Sequence, residues 1–342
     1  MNMIDKYKAC LIGGAIGDAL GYAVEFKSEP EIFSQYGESG ITDYKLRNGK
    51  AIVSDDTQMT LFTADGMIRG YYTGSYTDSV YNSYKEWYMT QALPMQKNNY
   101  RSWLMDVPEL WSRRSPGFTC ISAITSGKKG SIRNPINDSK GCGGIMRTAP
   151  IGLFFRNTIM IAQTDILAAE TSAITHGHEL GYIPSAAFAH IINLISHSDI
   201  SLKDAIMNSI SYTKKLFEDA GHISYFCKLM NKAVKLAGKN INDLDAIYEL
   251  GEGWVAEETL AIAVYCALKY ENDFEKAIIT SVNHNGDSDS TGAVTGNIIG
   301  AYLGMNAIPE KFLTNLELKD VISEIAADLY NYDNEQTKKK YI

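Results

Sequence analysis

The segment "NHNGDSDSTGAVTGNIIGAYLG", Asn283 to Gly304, carries two signals side by side. Its second part places Gly292, Gly296, Gly300 and Gly304 at a constant four-residue step. Its first part sets Asp287 and Asp289 among small and hydroxyl-bearing residues. Four residues is slightly more than one helical turn, so the glycines predict a helix with a nearly continuous track free of side chains. Glycine costs about 1 kcal/mol against alanine inside a helix, so its repeated use needs a compensating gain. Close approach of a second helix supplies one. The stretch "ACLIGGAIGDALGYA" repeats the step at Gly13, Gly17 and Gly21. Membrane-type packing of small residues does not fit, because Asp18 and Glu25 lie in or beside this first helix.

Working outward, the second half of the chain reads as helix after helix. The segments "TDILAAETSAITH", "IPSAAFAHIINLIS", "SLKDAIMNSISYTKKLFEDA", "EETLAIAVYCALKY", "DFEKAIITSVNH" and "LKDVISEIAADLYNY" repeat apolar residues at three- and four-residue spacing. Ser201 and Asp273 stand where N-caps are expected. The stretch "GITDYKLRNGKAIVSDD" is the best candidate for a short hairpin or irregular connection. No low-complexity linker or fixed-period repeat interrupts the pattern. The expectation is one all-α domain over residues 1–335, with the basic residues 336–342 as a frayed, solvated tail.

At 342 residues and 45% apolar, the chain can bury a sizeable core. A net charge of −8, from 32 basic and 40 acidic residues, argues against a general nucleic-acid-binding surface. The five cysteines, Cys10, Cys120, Cys142, Cys227 and Cys266, are scattered without CxxC spacing. They read as reduced thiols of a cytoplasmic protein rather than as a disulfide framework or zinc site. The apolar N-terminal stretch behind Lys6 and Lys8 faintly resembles a signal peptide, but Asp18 and four glycines favour a mature helix. No run is long and uncharged enough for a membrane span.

The acids fall in three places. Asp287 and Asp289 precede the second glycine helix, Glu25 follows the first, and "SDDT", Ser54 to Thr57, leads into another amphipathic helix. Each cluster alone could merely cap a helix. If the three converge, five carboxylates share one site and repel each other strongly unless a divalent cation intervenes. Carboxylates with the hydroxyls of Ser54, Thr57 and Ser290 form an all-oxygen donor set, which favours magnesium, manganese or calcium over zinc. "DSDSTG" lacks the spacing of an EF-hand loop.

These stretches stand in a particular order: "GGAIGDALGYAVEF", "SDDTQMT", "GCGGIMRTAPIG", "THGHELGY" and "NHNGDSDSTGAVTGNIIGAYLG". Together, from about residue 8 to residue 305, they resemble the ADP-ribosylglycohydrolase family. That family includes dinitrogenase-reductase-activating glycohydrolases and the ADP-ribosylarginine and ADP-ribosylserine hydrolases. The resemblance implies a compact orthogonal bundle of helices holding two Mg²⁺ ions, with Mn²⁺ as a substitute, at the centre of one face. It implies Ser54, Asp55, Asp56, Asp287, Asp289 and Ser290 as metal ligands, with less support for Thr57. Glu25 matches an acid that lies on a mobile segment beside the metals in relatives. The stretch "SKGCGGIMRTAP", with Ser139, Lys140, Gly141, Cys142 and Gly143, matches the glycine-rich segment that runs along ADP-ribose. Exposed backbone N–H groups and missing side chains suit a diphosphate. Cys142 stands where many relatives carry Asn, and no activating base marks it as a nucleophile. His176 matches a substrate-contacting histidine, whereas His178 reads as a supporting or surface residue. "SRRSPGFTC", with Arg113 and Arg114, suggests anion binding, but no motif places it in the site.

The expected activity is hydrolysis of the bond between ADP-ribose and a protein side chain, with arginine as the favoured linkage and ADP-ribose as product. Asp56 or Glu25 would activate the water. Such an enzyme implies an opposing ADP-ribosyltransferase and an ADP-ribosylated protein substrate. The competing readings are cleavage of serine-linked or free ADP-ribosyl compounds, a non-catalytic ADP-ribose-binding module, and a magnesium hydrolase acting on a nucleotide or phosphoester.

Overall fold

The computed structural model describes residues 2–96, 99–156 and 158–342. They form α1 (Met3–Gly21), α2 (Glu29–Tyr36), α3 (Asp55–Thr73), α4 (Tyr76–Ala92), α5 (Phe118–Thr125) and α6 (Ala149–Phe154). There follow α7 (Ile161–Ala173), α8 (Glu179–His197), α9 (Leu202–Leu216), α10 (Ile223–Ala237), α11 (Asp243–Leu250) and α12 (Ala256–Lys269). The chain closes with α13 (Phe274–Val282), α14 (Ser288–Leu303), α15 (Glu310–Thr314), α16 (Lys319–Tyr330) and α17 (Glu335–Tyr341). Among the described residues the β-structure is limited to isolated bridges, so the all-α expectation holds.

The two glycine helices form the centre. Residues 9–21 of α1 and 288–301 of α14 are buried on every side. They run antiparallel with backbones in contact. A methyl group added to Gly292 would lie 2.5 Å from the Gly17 carbonyl oxygen, and one on Gly17 or Gly296 would overlap the facing backbone outright. Gly21 meets Ser288 and Gly300 meets Ala9, so the register extends the full length of the pair. Gly304 differs from the rest of its series. It adopts φ +79° and ends α14, a position where a side chain would be strained. Asn297 bridges the pair by donating from Nδ2 to the Cys10 carbonyl at 2.8 Å. The remaining helices pack around this axis, with α3 against α4, α7 against α8, and α12, α13 and α16 against the central pair.

Local signals behave as their chemistry dictates. Ser201 accepts from the Asp204 amide at 3.0 Å and Asp273 from the Lys276 amide at 3.0 Å, each as an N-cap. The connection before α3 contains a two-residue turn in which Asn48 (φ 51°) and Gly49 (φ 76°) are both left-handed, under a single Arg47–Lys50 bridge. It does not lengthen into a hairpin, because Ala51 pairs instead with Leu316. The C-terminal residues correct the expectation of a frayed tail. Asn334 caps α17, and Tyr341 is buried, its hydroxyl 2.9 Å from Asp328 Oδ2 and accepting from Trp103 Nε1 at 3.0 Å. Lys340 pairs with Asp328 at 2.6 Å and also with Glu324. The basic run is thus the outer face of an amphipathic helix. No helix of the described residues is long and apolar enough to cross a membrane.

Gly17→Ala should destabilise the protein by about 3 kcal/mol or more, since neither backbone can yield without separating the helices. Gly238→Ala, where an added methyl meets nothing closer than 3.7 Å and φ is −82°, should change stability by less than about 0.5 kcal/mol. Denaturant unfolding of the two variants measures the difference.

Candidate active site

The first turn of α3 is fastened to α1 by Asp18, whose carboxylate is wholly buried. It accepts from the Ser54 amide at 2.9 Å, the Thr57 amide at 3.1 Å and the Thr57 hydroxyl. These are donors that a helix N-terminus leaves without intrahelical partners. Ser54 Oγ in turn accepts from the Asp56 amide at 3.1 Å as the N-cap. Asp55 Oδ2 accepts from the Gly117 amide at 3.2 Å. At the other end of the chain, Asp287 caps α14, accepting from the Ser290 amide at 3.2 Å. The two acidic motifs touch: Ser290 Oγ donates to Asp56 Oδ2 at 2.8 Å, across 234 residues of sequence.

Above these contacts opens a cleft of about 360 Å³. Glu25, Asp55, Asp56, Asp287, Asp289 and Ser290 line it, together with Gly141, Cys142, Gly143 and His176. Ten of the expected site residues are therefore brought to one cavity. Ser54, Ser139 and Lys140 do not line it. Ser54 sits one residue behind the acids as a cap, and Ser139 gives its carbonyl to the His178 amide. Lys140 turns away to a buried carboxylate, Glu257, at 2.5 Å. Thr57 likewise spends its hydroxyl on Asp18.

Burial and mutual repulsion shape the titration of the acids. Burial first, then the Asp287 and Asp55 charges, push Glu25 up to about 9, and burial and Asp18 push Asp55 up to about 8. Asp56 and Asp289 are also raised well above the carboxylate range by burial and by their neighbours. Burial raises Asp18 to about 6 against the pull of its hydrogen bonds. Glu25 Oε2 is buried without a hydrogen-bond partner among the described residues. Among the described residues no three acidic, histidine or cysteine side chains already close on a single point, so the carboxylates share the cleft without forming a finished coordination shell.

The glycine-rich segment forms the facing wall. Gly141 bridges Val255, the Cys142 amide donates to the Trp254 carbonyl at 3.2 Å, and the Ala256 amide donates to Lys140 at 2.9 Å. Not every glycine here opens space for a ligand. A methyl on Gly143 would crowd Cys120 Sγ at 2.9 Å and His176 Cε1 at 3.0 Å, and one on Gly144 would overlap Ser172. These two glycines admit protein atoms, and Gly141 is the roomier position. The Cys142 thiol donates to Asp287 Oδ2 at 2.6 Å. Burial and the adjacent carboxylates raise its pKa, which keeps it an unreactive thiol. His178 acts as the cap of α8, accepting from the Leu180 amide at 2.9 Å.

Several lining residues were not anticipated. From "SRRSPGFTC" the residues after the arginines reach the cleft, Ser115 to Cys120, whereas Arg114 pairs with Glu317 at 2.7 Å. Phe26, Phe118 and Trp254 form an aromatic rim, 74%, 85% and 40% exposed. Phe26 stacks on Trp254 with ring centres 6.1 Å apart and planes 21° from parallel.

Carboxylates on the floor of a cleft and a glycine-rich segment on its facing wall leave room for a polar ligand between them. The family model for ADP-ribosylglycohydrolase matches residues 1–339, and the chain belongs to that family. ADP-ribosylhydrolase ARH3 of Danio rerio is 25% identical, over 96% of this chain and 91% of its own length. ADP-ribosylarginine hydrolase Tri1 of Serratia proteamaculans is 25% identical, over 96% of this chain and 79% of its own. A solved ADP-ribosylglycohydrolase-related protein complex shares the fold, with a TM-score of 0.66 and 22% identity over 97% of this chain and 99% of that one.

Asp18→Ala leaves three donors unpaired at the start of α3 and should cost about 2–4 kcal/mol. Asp18→Asn, which keeps one acceptor oxygen, should cost less. Unfolding curves of both variants against the wild type test this ordering.

Proposed function

We propose that the protein is a magnesium-dependent hydrolase that releases ADP-ribose from ADP-ribosylated protein side chains, with arginine as the linkage. The observation that carries this reading is the meeting of the two acidic motifs through Ser290 and Asp56 at the floor of one cleft. The donor set fits a pair of hard cations. Asp55, Asp56, Asp287, Asp289 and Ser290 face the cleft, Ser54 stands at the cap beside them, and the raised carboxylates lack compensating charge. These six residues would hold two Mg²⁺ or Mn²⁺ ions. When bound, such ions supply positive charge that orients the distal ribose hydroxyls.

The chain's own groups do the rest. Glu25 presents a carboxylate oxygen with no partner, which favours it over Asp56, already engaged by Ser290, for proton transfer. Glu25 takes a proton from water as its oxygen bonds to the anomeric carbon, and returns it to the departing nitrogen as the glycosidic bond breaks. The remaining carboxylates stabilise the positive charge that develops on the sugar. Among the described residues no lysine or arginine lines the cleft. A cationic guanidinium leaving group is therefore welcome there, which supports arginine, as does the similarity to the ADP-ribosylarginine hydrolase of Serratia proteamaculans. An opposing transferase must supply the modified protein.

Chelation should abolish release of intact ADP-ribose from arginine-modified protein, and Asp289→Ala should do the same in excess magnesium. Full activity in chelator, or phosphate or AMP as product, would overturn the assignment. Glu25→Gln should lower kcat by roughly 100-fold or more while leaving ADP-ribose affinity within a few-fold, read by steady-state kinetics and calorimetry. Asp55, raised to about 8, holds a proton at pH 7 that cation binding must displace, and the charge of bound cations would also lower Glu25 from about 9, freeing it to accept the proton of water. Magnesium binding should accordingly release protons, and its affinity should rise as the pH climbs from 6 to 9. Calorimetry in buffers of different ionisation heat measures the release.

A further inference from the structure

Arg147, in the glycine-rich segment, is completely buried, and the neighbours that meet its guanidinium are neutral. Nη1 reaches Cys120 Sγ at 3.3 Å and Met59 Sδ at 3.5 Å, Nη2 reaches the Thr171 carbonyl at 3.5 Å, and Nε has no partner. The group lies 4.4 Å from the centre of the Tyr84 ring. Burying a cation without a carboxylate is expensive, so the position calls for a reason. Its one short bond supplies it: Nη2 donates to Thr175 Oγ1 at 2.6 Å.

That bond fixes the direction of the next one. A guanidinium only donates, so the Thr175 oxygen is an acceptor toward Arg147 and has a single proton of its own to place. The acceptor that meets it among the described residues is His176 Nδ1, at 2.8 Å. The oxygen has a second lone pair, but an Nδ1–H directed at it would strand the buried Thr175 proton without an acceptor among the described residues. Satisfying that proton requires a bare Nδ1, and in the neutral ring the proton then sits on Nε2. Burial, reinforced by the Arg147 charge, holds the imidazole neutral by pressing its pKa down to about 3. Nε2 faces the cleft wall, 3.4 Å from where a methyl on Gly141 would stand.

We propose that Arg147 and Thr175 are positioning residues that lock His176 as the Nε2–H tautomer, so that its cleft edge only donates to an acceptor oxygen of the ligand. The relay itself is a property of the folded protein. The identity of the ligand, a hydroxyl or phosphate oxygen of ADP-ribose, rests on the function proposed above. The arrangement gives the cleft a polarity: oxygen-rich parts of the substrate meet His176, and a cationic leaving group is left to the carboxylates.

Long-range ¹⁵N–¹H correlation spectra of the full chain labelled at histidine read the tautomer directly, with His176→Gln identifying the signal. The wild type should show Nε2–H and an unprotonated Nδ1. Thr175→Val should abolish that preference and weaken ADP-ribose binding roughly five- to tenfold, with KM rising more than kcat falls. Thr175→Ser should restore both. A wild-type ring protonated at Nδ1, or a folded Thr175→Val protein with an unchanged spectrum, would overturn the relay. If the tautomer is as stated but added ADP-ribose leaves the His176 signals unmoved, the relay stands and the reading of the cleft as an ADP-ribose site fails.

Discussion

The arrangement depends on two helix backbones touching. Gly13, Gly17 and Gly21 on α1 face Gly296, Gly292 and Ser288 on α14 with no side chain between them. The antiparallel register places the end of α1 beside the beginning of α14. The start of α14 carries Asp287 and Asp289, and the chain leaving α1 carries Glu25. Asp18, from the same helix, holds the first turn of α3 with Asp55 and Asp56. One close contact thus brings three acidic segments to one place.

The electrostatics of that place follow from helix direction. Both α3 and α14 begin at the cleft, so the positive ends of two helix dipoles lie beneath the acids. Partial charges of about half a unit at each end cannot balance five carboxylates, and burial together with mutual repulsion keeps Glu25, Asp55, Asp56 and Asp289 raised. Arg147 adds a full positive charge beside Cys120 and Thr175, and among the described residues no carboxylate pairs with it.

Much of this was legible in the chain. The four-residue glycine step announces a close helix pair because no other packing repays the loss of side chains, and the acids beside hydroxyls mark segments that the fold brings into contact through Ser290 and Asp56. What escaped notice lacked a signal of its own. Asp18 reads as an incongruous charge in an apolar helix, since its partners are backbone amides 36 and 39 residues away. Phe26 and Trp254 each look like ordinary surface aromatics until folding stacks one on the other. Arg113 and Arg114 drew attention through charge, whereas the uncharged residues after them reach the cleft. The terminal lysines suggested solvent because Tyr341, which anchors them, forms its contacts with Trp103 and Asp328 far away in sequence.

The glycine contact also divides the molecule by what it permits in descent. Where backbones touch, every substitution adds atoms that have nowhere to go, so those positions tolerate almost no drift. The aromatic rim is under no such veto: Phe26 and Phe118 are largely exposed, and neither supports the core. A lineage built on this scaffold is free to reshape that rim while inheriting its carboxylate floor intact.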